Sequence, residues 1–172
     1  MKKISFLFIA FLTISFSGFS QNSEPIKNAD GVGKYTLNLL KNFENTSEEE
    51  FVNSLMTTED IIKFAEKVAD TAVGNNLKKE ITKMGATKYY SRVAEVYHDL
   101  KEKGKEYGIV WKDIAYVDFT YELRDKKGIK GIEGALVFSC KGTKYKVKTD
   151  ALYDGDAYLP IIVRKLYKKD DD

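Results

Sequence analysis

Strict apolar/polar alternation runs through the last third of the chain and predicts four β-strands. In the first, Ile114 to Leu123, Ala115, Val117, Phe119, Tyr121 and Leu123 fall on one face and Tyr116, Asp118, Thr120 and Glu122 on the other. Side chains alternate across a strand, so such a pattern predicts one buried face and one wet face. A turn at Asp125–Gly128 leads to a second strand, Ile132 to Cys140, with Ile132, Gly134, Leu136, Phe138 and Cys140 together. Lys141-Gly142 has the two-residue spacing of a tight hairpin, whose primed turns need positive φ. The third strand, Thr143 to Leu152, sets Tyr145, Val147, Thr149 and Ala151 against Lys144, Lys146, Lys148 and Asp150. Asp154-Gly155 marks another turn before the fourth strand, Ala157 to Leu166, in which Leu159, Ile161 and Val163 oppose Tyr158, Ile162 and Arg164. Pro160 removes a ladder donor and belongs at a sheet edge or bulge.

Upstream the period changes to that of helices. Asn28 or Asp30 can cap a helix through Phe43, with Tyr35, Leu39, Leu40 and Phe43 on its apolar side and Gly31 and Gly33 weakening its start. Ser47 to Glu50 reads as a capping box for a short helix carrying Phe51, Val52 and Leu55. Thr57 or Thr58 caps the next, with Ile61, Ile62, Phe64, Ala65 and Val68 as its stripe and Gly74-Asn75-Asn76 as a stop. Leu77 to Lys105 is helical again, with a kink or break at Gly85 and termination at Gly104 or Gly108. The fold expected is α+β: N-terminal helices packed on one face of a C-terminal four-stranded antiparallel meander.

Residues 1–21 read as a secretory signal peptide, with Lys2 and Lys3, the apolar run Ile4 to Phe16, and Gly18-Phe19-Ser20 before Gln21. No Cys lies there to carry a lipid anchor, and the run is short for a membrane span. The expectation is export to the periplasm or medium, with a loose segment at 22–27, one domain at 28–168 and an acidic tail at 169–172. Cleavage would remove two of the 28 basic residues and none of the 26 acidic ones. The remainder is near neutral, which argues against nucleic acid as a partner. The lone Cys140 forms no internal disulfide, so stability rests on packing.

Candidate chemistry is sparse. One histidine, His98, excludes metal sites built on several imidazoles. Cys140 is a nucleophile only with His98 beside it, and its place on the apolar face reads instead as a small buried hydrophobe. Asp150, Asp154 and Asp156 lack the spacing of a calcium loop. No metal or cofactor is expected. Lys144, Lys146 and Lys148 form a basic row suited to surface contact with an envelope component, or to keeping a sheet edge soluble. The 11 tyrosines are more suggestive. Trp111, Tyr121 and Tyr145 are the candidate ligand-binding residues, aromatic walls with polar handles between helices and sheet.

Helices followed by this meander, with Trp111 leading the first strand and Ala157-Tyr158-Leu159 opening the last, resemble the NTF2-like and cystatin-like α+β domains. The leader and the stretch Lys144-Tyr-Lys-Val-Lys148 through Asp154-Gly155 are similar to small exported proteins of uncharacterised families in Gram-negative bacteria. An NTF2-like resemblance implies helices in a concave sheet and a conical cavity. It places helices after an early strand, an order this chain does not follow. The function expected is a non-enzymatic exported domain binding a small ligand or a protein partner. The alternatives are a cavity enzyme of isomerase or hydrolase type, using a Tyr with an inward Asp118, and a cell-envelope interaction module.

Overall fold

The computed structural model describes residues 24–68 and 71–169, so the leader and the acidic tip of the tail lie outside the described residues. Among the described residues five helices precede four strands: α1 Ala29–Lys41, α2 Glu48–Asn53, α3 Thr58–Lys67, α4 Thr71–Met84, α5 Ala86–Glu106, a 3₁₀ turn at Trp111–Asp113, then β1 Ala115–Lys126, β2 Ile129–Cys140, β3 Thr143–Tyr153 and β4 Tyr158–Lys168. The sheet is an antiparallel meander in the order β1-β2-β3-β4. The fold is therefore α+β, with every helix N-terminal to every strand.

Local chemistry sets the helix starts. The Asn28 side chain accepts from Gly31 N–H, and complete capping boxes close α2 (Ser47 with Glu50) and α3 (Thr57 with Asp60). Gly85, at φ +76°, separates α4 from α5, and Gly108, at φ +63°, follows the last turn of α5. These are conformations that L side chains rarely adopt. Gly104 does not end the helix; it lies inside α5, where an added Cβ would sit 2.3 Å from the Trp111 ring. Gly74-Asn75-Asn76 is likewise no stop, because all three lie within α4. A Cβ on Gly74 would fall 2.3 Å from the Ala65 carbonyl oxygen, so this glycine lets α4 press on the backbone of α3.

The main core lies between α1, α2, α5 and the inner sheet face. Val32, Leu40, Phe43, Phe51, Leu100, Leu136, Phe138, Val147 and Val163 are fully buried there. A second cluster, Met56, Ile61, Phe64 and Ile81, gathers Ile129, Leu152 and Leu159 from the strands. Leu152 has the parity of Lys148 and Asp150, so α3 and α4 also cover one end of the opposite sheet face.

Bulges at two places change the face assignments expected from alternation. The register slips between Tyr116 and Asp118, leaving Val117 unpaired and setting Tyr116 opposite Phe138, on the inner face, and Ala115 opposite Ser139, on the outer one. In β4 the register slips between Pro160, opposite Ala151, and Ile162, opposite Asp150, so Leu159 and Val163 face opposite sides. Pro160 thus sits beside a bulge on an edge strand, where its missing N–H does no harm.

The two sheet edges differ. Along β4, Met56 N–H donates to the Pro160 carbonyl at 2.9 Å, and Ile26 forms a bridge with Tyr158, whose N–H reaches the Ile26 carbonyl at 2.8 Å. Ile26 is therefore tied down, unlike the loose segment expected for 22–27. Along β1, among the described residues, no strand or loop pairs with the outer side.

Candidate functional site

The tyrosines that suggested a pocket serve mainly as struts. Tyr89 donates to the Met56 carbonyl at 2.8 Å, Tyr97 to that of Thr46 at 2.8 Å and Tyr145 to that of Tyr107 at 3.3 Å, while Tyr35 donates to that of Ser54. Each hydroxyl satisfies a loop or helix-end carbonyl that the backbone leaves open. Burial pushes the Tyr35 and Tyr89 hydroxyls above their ordinary range, which keeps them neutral donors.

The three candidate ligand residues are not brought together. Trp111 is buried, edge-on to Phe43 at 5.2 Å and against Phe138. Tyr145 is buried in a stack between Tyr107 and Phe138. Tyr121 is exposed on the open edge strand, stacked on Phe119. The interior where a helix–sheet cavity was expected is filled by the side chains of the main core.

Nor does the structure assemble the acid–base pairs considered. His98 stands on the exposed side of α5 with Nε2 2.7 Å from Glu48. Cys140 is buried against the Val110 backbone, accepting from its N–H at 3.4 Å. Asp118 is exposed on the outer face, its carboxylate accepting from Phe119 N–H at 2.8 Å. Asp154 takes the N–H groups of Asp156 and Ala157 in the β3–β4 turn and pairs with Lys67 at 3.2 Å. Among the described residues no group of three or more His, Cys, Asp and Glu could hold a metal ion, and no helix is long and apolar enough to cross a membrane.

The concave surface lies instead on the outer sheet face. A groove of about 340 Å³ is lined by Thr120, Glu122 and Arg124 of β1, Glu133 and Ala135 of β2, Lys146, Lys148 and Asp150 of β3, and Arg164 of β4. It exists because the end of that face beyond Asp150 is covered by α3 and α4, while no helix of the described residues lies over the remainder. Two ion pairs frame it. Arg164 reaches Asp150 at 2.6 Å, and Arg124 reaches Glu122 at 2.6 Å and Glu133 at 3.1 Å. The hydrogen bond and charge of Arg124 hold the Glu133 carboxyl below its ordinary range. Beside these pairs stand Lys148, opposite Arg164, and Lys146, one same-face step further along β3, and among the described residues no ion pair reaches either lysine. Of the basic row, Lys144 lies outside the groove lining.

The groove was partly legible beforehand. Lys146 and Lys148 come from the plain alternation of β3, whereas Arg124 and Arg164 were missed as partners because their neighbours depend on register. Comparison with known proteins found no matching family model, no matching curated protein and no matching solved structure.

Proposed function

We propose that this chain is an exported, non-enzymatic binding domain that takes the acidic side chains of a protein partner on its outer sheet face. The observation that carries this reading is the pair Lys146 and Lys148, without acidic partners among the described residues, beside arginines already held by carboxylates. The arginines are already engaged by carboxylates, so the two lysines are the cations more readily offered to a partner. Next-but-one residues of a strand lie about 7 Å apart on one face, the same repeat as alternate side chains of an extended acidic segment. The lining is mostly polar, with Tyr121 its one aromatic residue, which favours a protein surface over a metabolite. The leader-like sequence supports placing the encounter outside the cytoplasm.

The test is an amide-resolved NMR titration with a poly-glutamate peptide. Shifts are expected at Thr120, Ala135, Lys146, Lys148 and Arg164. They should fade with added salt and vanish in Lys146→Glu/Lys148→Glu. Shifts centred on Trp111 and Tyr145, or unchanged by the double reversal, would refute the reading.

A further inference from the structure

The open edge of β1 carries a self-complementary pattern, and we infer that it pairs with β1 of a second copy of this chain. The strand is 12 residues long. It exposes apolar side chains on its inner face, Tyr121 at 41% and Leu123 at 73%, beyond the reach of the helix layer. A long edge strand with exposed apolar residues is a template for another strand.

The hairpin tells which backbone groups are open. Lys127 and Gly128, at φ +55° and +86°, form a two-residue loop between the paired Lys126 and Ile129. Residues flanking such a loop exchange hydrogen bonds, and bonded and non-bonded pairs then alternate along the ladder. Arg124, Glu122, Thr120 and Asp118 therefore bond to β2, while Leu123, Tyr121 and Phe119 aim their N–H and C=O groups away from it. The Phe119 N–H fits this assignment, since in the single chain it is taken by the Asp118 carboxylate rather than by β2; pairing hands that N–H to the second copy and frees the carboxylate for its Arg124.

Antiparallel pairing across a two-fold axis sets residue against residue symmetrically, and charge selects the register. Centred on Tyr121, Asp118 meets Arg124 of the second copy, Thr120 meets Glu122, Tyr121 meets itself, and the exposed Leu123 meets Phe119. Centred on Thr120, Asp118 would oppose Glu122. Centred on Glu122, that carboxylate would oppose itself. Centred on Leu123, Asp125 would land beside Tyr121 on the apolar face. Only the Tyr121-centred register matches opposite charges outside and apolar groups inside. Arg124 already bridges Glu122 and Glu133, and a guanidinium has five donors, enough for a third carboxylate. The bulge at Val117 bounds the pairing at one end. The product is an eight-stranded sheet with two grooves of the kind described above side by side.

The test is sedimentation of the purified protein over a concentration series, with charge swaps. Twice the mass of one chain is expected at high concentration. Asp118→Arg and Arg124→Asp should each weaken the dimer about tenfold or more, since each places like charges twice across the axis, and the double variant should recover it. Unchanged far-ultraviolet circular dichroism checks that the variants fold. A monomer throughout the series overturns the inference, as does a dimer indifferent to both single swaps. Oxidation of Tyr121→Cys adds a measurement independent of charge. Facing Cα atoms of a bonded antiparallel pair are about 5.5 Å apart, within disulfide reach. Leu123→Cys should not cross-link, because the two copies of that position lie about 13 Å apart along the strands. Cys140 is buried and stays out of the reaction. Cross-linking of Leu123→Cys in preference to Tyr121→Cys would refute the register.

Discussion

Thr36 of α1 and Thr149 of β3 meet in the core, both fully buried, with Oγ1 of Thr36 donating to Oγ1 of Thr149 at 3.1 Å. A lone buried hydroxyl is costly, whereas removing both is nearly neutral. Thr36→Val should therefore destabilise the protein by about 1–2 kcal/mol, and Thr36→Val/Thr149→Val by clearly less than the sum of the singles, in denaturant melts. A second residue-scale prediction concerns Asp154. Its desolvation raises the carboxyl pKa, but the Ala157 and Asp156 N–H groups and the Lys67 ammonium outweigh this and leave it lowered. A depressed pKa contributes stability above the unfolded value and loses it as pH falls through the folded one. Asp154→Ala should cost about 1–2 kcal/mol near neutral pH, a difference shrinking towards zero in acid, as thermal melts across pH would show. Alternation alone made Thr149 an inner-face residue. Its partner Thr36 was illegible, because a helix stripe says which side is buried and not which side chain it will touch.

Among the elements, the α3–α4 pair shows where sequence reading turns on one residue. Gly-Asn-Asn carries the usual signature of a helix stop. At residue 74, however, the glycine is selected by distance to a neighbouring backbone rather than by φ, and such a distance is tertiary information. Gly74→Ala should force α3 and α4 apart and destabilise the chain by about 1–3 kcal/mol. Amide exchange would localise the loss to Met56, Ile61, Phe64 and Ile81, with the main core less affected. Gly104→Ala makes the contrasting case, since its Cβ would strike the buried ring of Trp111 and loosen the main core by a similar amount. The strands fared better at the level of existence, because a period of two survives everything except a bulge. Each bulge moved its neighbours to the other face, as at Tyr116 and Leu159.

At the scale of the whole molecule, the tyrosines that drew attention as a ligand cage became ties between layers, and the binding candidate moved to the opposite sheet face. Composition admitted both outcomes and leaned to a tyrosine-rich core, since a buried hydroxyl needs a partner whether that partner is a ligand or a carbonyl. Sheet register decided between them, and register is not written in any one segment.

Ile26 and Tyr158, joined backbone to backbone, lie at opposite ends of the described chain, and Met56 meets Pro160 across a comparable gap. Synthesis proceeds from the N-terminus, so all five helices are made before the first strand of the surface that will cover them. Until β4 is in place the apolar stripes of α1, α3 and α5 have no completed partner, and closing contacts this far apart in sequence costs more chain entropy than closing the hairpins of the meander. The contacts that join the helix layer to the far edge of the sheet therefore close only once the last strand is in place.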